Sequence, residues 1–204
     1  VVIPTDISGN SLLLTQRADH MRTFPRCWVF PGGAVDDGET MFAAGERELY
    51  EETGLITSAQ SMQLLCVWES VFPTSAAGCI EAGQVKGHSV TAFIQASVEP
   101  VEPSRIALQS EECSQCAWVS LQQLMEIHAN RTPDAVRCSL DALTLHGWQA
   151  KAADADPLEE MNPCDVGAAR LQGIYPNALG EGIGQGHLYA LAVLWSAKVE
   201  ASSL

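Results

Sequence analysis

Positive charge is scarce in this sequence. Its 204 residues include 11 Lys and Arg against 25 Asp and Glu, a formal net charge of −14. A surface so acidic repels polyanions and excludes broad contact with duplex nucleic acid. Long apolar runs are missing too, so no segment reads as a membrane-spanning helix. The first residues, Val1 to Asp6, lack the basic start and apolar middle of a signal peptide. They also lack an initiator Met, so the chain reads as a fragment or trimmed form with any targeting segment upstream of it. No internal repeat, no DNA-binding motif and no GxGxxG dinucleotide fingerprint is present. The seven cysteines (27, 66, 79, 113, 116, 138 and 164) are odd in number and irregularly spaced. That pattern fits a reducing intracellular compartment better than a disulfide framework. The expected location is the cytoplasm, or an organelle if a targeting segment precedes this chain. With 47% hydrophobic and 18% charged residues, the composition is that of one ordinary globular domain with a substantial core.

What is present is concentrated between residues 33 and 55. Glu48, Glu51 and Glu52 stand at i, i+3 and i+4, which places three carboxylates on one helix face. Like charges so close destabilise a helix unless a cation neutralises them. A hard divalent ion that prefers oxygen ligands is the usual remedy, and magnesium fits best. A merely solvated acidic face explains neither the buried-type Phe42 and Leu49 opposite the acids nor the glycines at both ends, Gly33 and Gly54.

Gly33, Glu39, Arg47, Glu48, Leu49, Glu51, Glu52, Gly54 and Leu55 together fill a fixed pattern of nine positions over 23 residues. This run resembles the signature box of the Nudix hydrolase family without a departure. The resemblance implies an α/β/α sandwich with a mixed β-sheet over about residues 1–128. It implies hydrolysis of the pyrophosphate bond in a nucleoside diphosphate linked to a second group. The implied metal ligands, for Mg2+ or alternatively Mn2+, are Glu48, Glu51, Glu52 and the backbone carbonyl of Gly32. Arg47 is implied to orient the acids, and Glu39 to pair with Arg47 or hold the loop. Gly33 and Gly54 have structural parts. Family members bring one more acid from outside the box as base or extra ligand, and Glu112, six residues before Trp118, matches that place. Arg17, Arg22 and Arg26 cluster before the box as candidate phosphate contacts.

The box does not encode the second group. Residues 13–22 resemble in part the segment preceding the box in coenzyme A diphosphatases, with Phe24 and Arg26 where that subfamily carries His and Gly. Coenzyme A or a related dinucleotide is therefore the leading substrate expectation, with NADH, ADP-ribose and capped RNA ends as alternatives. The acidic balance weighs against long RNA. A silent nucleotide-binding module is the alternative from another class, although such modules usually carry a broken box. The expected partners are a small nucleotide and, in a homodimer, a second copy of the chain.

Local patterning predicts a hairpin from residues 1–3 and 11–15, a strand over 28–30, and a helix over 40–53 stopped by Gly54. Acidic residues 36–39 are expected at the start of that helix. Strands are predicted at 62–68, 89–98 and 117–119, with a loop over 72–86. A helix over 121–128 is predicted with Ser120 as its cap, and another from 133 or 134 to 146. Cys113 and Cys116 read as small half-buried side chains at a strand entry, since no second Cys pair completes a zinc site. Residues 150–168 read as a mobile acidic loop. The alternating Gly180, Gly182, Gly184 and Gly186 read as a flexible loop before an apolar strand or helix packed on the core. The whole of 129–204 is expected to be a helix-and-loop extension with a gating role.

Overall fold

Val2, Ile3, Leu12, Leu13 and Leu14 are all 0% exposed. Successive strand residues face opposite sides of a sheet, so burial in both directions means a central position with both faces covered. The computed structural model describes residues 1–72, 80–81, 83–85, 87–98, 106–129, 144–149, 162–172 and 174–203. Strands β1 (Val2–Thr5) and β2 (Ser11–Arg17) form the expected antiparallel hairpin. Its turn is held by the Asp6 carboxylate, which accepts from the N–H of Asn10 at 2.7 Å and of Ser11 at 3.1 Å. β3 (Trp28–Val29) pairs with the end of β2. β4 (Met62–Phe72) and β5 (Gly87–Ser97) make a long antiparallel ladder, and β5 runs parallel to β1. β6 (Cys113–Ser120) covers the other side of β2. The mixed sheet runs β4-β5-β1-β2-β6-β7-β8, where β7 is Thr144–Gln149 and β8 is Asn162–Gly167, with β3 paired to β2 off that path.

Two helical layers cover the sheet, and the period-2 alternation assigns side chains to them. Val2, Leu13, Ile94 and Cys116 face the helix α1 (Met41–Thr53) through Leu49, joined by Leu55 just past the helix end. Ile3, Leu12, Leu14, Phe93 and Val119 face the opposite layer, made by α2 (Leu121–Ala129) and α3 (Gln185–Ser202) through Leu124, Ala190, Leu191 and Leu194. The expected α/β/α sandwich is what forms.

Capping defines α1. Thr40 Oγ1 accepts from the Ala43 N–H at 3.1 Å, and Gly54, at φ 71°, donates to Tyr50 O at 2.8 Å in a left-handed stop. Acids 36–39 lie ahead of the cap, and the first helical turn holds none. For α2, Ser120 Oγ accepts from the Gln123 N–H, as its sequence implies.

The C-terminal third departs from expectation. Thr144–Gln149 is strand β7 rather than the end of a helix; residues 130–143 of that predicted helix lie outside the described residues. Asn162–Gly167, expected within a mobile loop, is β8; residues 150–161 lie outside the described residues. β7 pairs antiparallel with β6, and β8 with β7. Sheet pairing depends on a partner edge that local sequence does not show, so the edge offered by β6 overrides local pattern. β6 itself begins at Cys113 rather than 117, and Cys113 and Cys116 are buried at 3% and 0% exposure rather than half-buried. Most of the expected loop between β4 and β5 also lies outside the described residues. Among the described residues no helix is long and apolar enough to cross a membrane.

The glycine run is not loose. The Trp28 N–H donates to Gly182 O at 2.9 Å and the Gly184 N–H to Trp28 O at 3.2 Å, a parallel bridge between Trp28 and Ile183. Because α3 fills the same core as β1 and β2, we expect Leu191→Ala to lower the stability of the whole domain by about 2–5 kcal/mol. Urea unfolding followed by far-UV and near-UV dichroism should show one shifted transition; a separate early melt of the helix would contradict a shared core.

Candidate active site

The turn after β3 sets the geometry. Phe30, Pro31, Gly32 and Gly33 leave the strand, and the Val2 N–H donates to Pro31 O at 2.8 Å, which ties the turn to the central hairpin. A side chain on Gly33 would overlap the Glu48 carboxylate, so glycine there lets the acid press against the backbone. The Gly32 N–H donates to Glu52 Oε1 at 3.2 Å. Helix α1 thus delivers Glu48 and Glu52 to one short stretch of main chain.

The three box acids differ in exposure. Glu52 is 6% exposed, while the side chain of Glu51 is half in solvent. Burial raises Glu52 to about 7, and the nearby carboxylates of Glu112 and Glu48 push the same way, against the Gly32 N–H bond. The Cys113 thiol points at Glu52 Oε2 from 3.7 Å, and burial pushes that thiol up, so it stays a donor. Glu112, the residue before β6, acts electrostatically on Glu52, and its carbonyl accepts from the Ala18 N–H at 2.7 Å. A cleft of about 290 Å³ opens beside Glu48, walled by Gly33, Val35, Met41, Val90 and Ala92.

Arg47 binds the exposed side of the cluster. Its Nη1 donates to Glu48 Oε1 at 2.8 Å and Glu51 Oε2 at 3.2 Å. Its Nε and Nη2 make a bidentate pair with Glu39 at 3.1 and 3.0 Å, and Nη2 also reaches Ala34 O at 3.0 Å. Hydrogen bonding to Glu39, then to Glu48, holds the guanidinium firmly charged, and Arg47 in turn holds Glu39 below the usual carboxylate range. Arg47 thus bridges Glu39 to Glu48 and Glu51.

The donor chemistry fits a hard divalent cation. Glu48, Glu51, Glu52 and Glu112 offer only oxygen, as magnesium and manganese require. Crowding on a buried carboxylate is the electrostatic demand that such an ion relieves. Among the described residues no three acid, His or Cys groups already converge as a closed cage, and Arg47 engages one oxygen each of Glu48 and Glu51.

The three arginines upstream are not equivalent. Arg17 and Arg26 pair through their backbones at the base of the 18–27 loop, and Arg17 Nε donates to Thr23 O at 3.1 Å. Arg22 is exposed on that loop. Arg26 is drawn away from the role of free phosphate contact, because its guanidinium is bonded to Glu181. Sequence reasoning missed Glu181, Arg170 and His187. Glu181, 2% exposed, also accepts from Arg170 Nε at 2.7 Å. Burial would raise this carboxylate, but Arg170 and Arg26 hold it below its ordinary value. The available signal was the glycine alternation, which marks close backbone approach: side chains on Gly184 and Gly186 would press on His187 and Trp68.

A mixed-sheet sandwich with helix-borne acids behind a Pro-Gly-Gly turn defines an oxygen-rich, carboxylate-lined site. The NUDIX domain family model matches residues 1–138, and the chain belongs to that family. It is 37% identical over 132 residues to an m7GpppN-mRNA hydrolase of Danio rerio, covering 58% of this chain and 40% of that protein. It is 26% identical over 122 residues to an RNA pyrophosphohydrolase of Pelagibacter ubique, covering 58% of this chain and 73% of that protein. The chain therefore spans about two fifths of the length of the m7GpppN-mRNA hydrolases it matches. Among solved structures, a MutT NUDIX hydrolase from Burkholderia pseudomallei aligns at 24% identity and TM-score 0.44, over 59% of this chain and 81% of that one.

Gly33→Ala should displace Glu48 without altering the fold. We expect turnover to fall about 100-fold, the scale of a 1 Å misplacement of a reacting group, with an unchanged far-UV dichroism spectrum. Wild-type turnover would show that the contact between Gly33 and Glu48 is incidental.

Proposed function

We propose that this domain hydrolyses a phosphoanhydride bond in a nucleoside diphosphate linked to a second group. The observation that carries the reading is Glu52, a carboxylate 6% exposed and raised to about 7 in the company of Glu48 and Glu112. Glu48, Glu51, Glu52 and the Gly32 carbonyl are the residues that would hold Mg2+ or Mn2+. When bound, the ion supplies neutralisation of the phosphoryl oxygens and acidifies water. Arg47 keeps Glu48 and Glu51 aligned through the bonds described above and has no need to touch substrate. Glu112 stands beside Glu52 and is the acid proposed to take the proton of the attacking water. Arg17 and Arg22 are the phosphate contacts proposed, with Arg26 contributing through the loop it anchors. The complete acid set argues against a silent binding module.

For the second group, the names of the relatives favour a cap-type substrate, in which a nucleotide end is joined through an anhydride. A net charge of −14 disfavours long polyanions, so a short or single-stranded 5′ end suits this surface better than a duplex. The coenzyme A reading rests on residues 13–22, and it remains the second reading.

Two experiments test this. Glu51→Gln should lower turnover by about 100-fold or more with little effect on stability, because the side chain is half exposed, and EDTA should silence the wild type. Undiminished hydrolysis in either case would remove the metal assignment. Incubation with magnesium and cap dinucleotides, 5′-triphosphate RNA, coenzyme A, NADH and ADP-ribose, with both products identified by mass, should single out the cap-type compounds. Preferential cleavage of coenzyme A would favour the second reading, and turnover of none would reject hydrolysis.

A further inference from the structure

We infer that the segment Glu181–His187, beyond the family-matched residues, is a positioning element of the active site: His187 Nδ1 holds the Phe30 N–H at the entrance to the Pro31-Gly32-Gly33 turn, and Glu181 anchors the strand that feeds it. The inference rests on the metal-ligand reading above and extends it to residues that touch neither metal nor substrate.

Three attachments converge on five residues of chain. The Phe30 N–H donates to His187 Nδ1 at 3.1 Å. Trp28 exchanges backbone hydrogen bonds with Gly182 and Gly184 on both sides of Ile183. Glu181 bonds Arg26 on one flank of β3, and Arg170 on a side whose guanidinium lies 6.0 Å over the Trp28 ring. Two residues past Phe30, the Gly32 N–H meets Glu52, and the next residue is the one against which Glu48 packs. A shift of the Phe30 peptide is therefore passed directly to the groups proposed to hold the cation.

His187 is suited to this task. Its ring sits between those of Phe30 and Phe93, at centroid distances of 5.6 and 5.2 Å. Desolvation there pushes it below its ordinary range, which keeps the imidazole neutral and Nδ1 available as an acceptor. Gly184 leaves room for the ring, since a side chain there would overlap His187 Cδ2. An imidazole whose acceptor fixes main chain next to metal-binding groups acts as an outer-shell partner does, and loss of such a partner typically costs tenfold or more in metal affinity.

The test uses the full chain and Mn2+ alone as probe, with free Mn2+ followed by electron paramagnetic resonance. His187→Asn puts an acceptor oxygen where Nδ1 stands; His187→Leu removes the acceptor and keeps apolar bulk. We expect His187→Leu to raise the Mn2+ dissociation constant about tenfold and to lower kcat more than it changes KM, while His187→Asn stays near wild type. Should His187→Leu fail to fold, Glu181→Gln serves in its place, with weakened Mn2+ binding expected and an unchanged constant overturning the inference. Equal Mn2+ binding by wild type, His187→Leu and His187→Asn overturns it too, as does equal weakening of both variants. A wild type that binds no Mn2+ rejects the metal reading itself. A wild type that binds Mn2+ but cleaves no substrate rejects the hydrolase reading and leaves the Mn2+ comparison decisive for the positioning role.

Discussion

A carboxylate taken out of water beside two others is expensive, and the architecture of this domain is organised around Glu52. Its helix position places it against the sheet, where burial raises it to about 7. Among the described residues it receives one backbone N–H, from Gly32, and one thiol, from Cys113, and no arginine or lysine in its hydrogen bonds. Two weak neutral donors do not match the desolvation of a charge. That electrostatic deficit on the buried side is the ground for the proposal that a small multivalent cation binds here.

The same deficit is met differently on the solvent side. Arg47 spreads its donors over Glu39, Glu48 and Glu51 and the Ala34 carbonyl, a fork that a lysine could not reproduce. One cation therefore orders the turn, the entry to the helix and two acids together. Glu39 is then a counterweight: it takes the bidentate face of the guanidinium, and Glu48 and Glu51 are each held through a single oxygen. The neutral Gly33, with no side chain, completes the arrangement by letting Glu48 approach main chain.

The acidic helix and its turn were legible in the sequence because their determinants are local. Spacing on a helix, a Thr cap, a left-handed Gly54 and a glycine at a point of close approach all lie within about twenty residues. The hairpin and strands β4 and β5 were legible for a similar reason, as short apolar runs bounded by turn residues, whereas β6 was read only over its last residues. β7 and β8 were not, because a strand whose role is to extend an existing edge need not carry a strong pattern of its own. Arg26 illustrates the other limit. Beside Arg17 and Arg22 it looked like part of a phosphate-binding cluster, yet its partner is Glu181, 155 residues away, and no spacing rule reaches that far.

Glu181, beyond the family-matched residues, ties Arg26 to Arg170. The chain has only 11 Lys and Arg, and two of them, Arg26 and Arg170, are committed to this one buried carboxylate. In a protein of net charge −14 that commitment has a structural logic. A buried ion pair adds little net stability but fixes geometry, since any other arrangement strands a charge in the interior. Here the geometry fixed is that of β3, which has only two strand residues and one ladder partner of its own in β2. So short a strand cannot hold the following turn against the repulsion of the acids packed upon it. The bridge to Ile183, the ion pairs of Glu181 and the imidazole of His187 give β3 the attachments it lacks, which is why we infer a positioning role for this C-terminal segment.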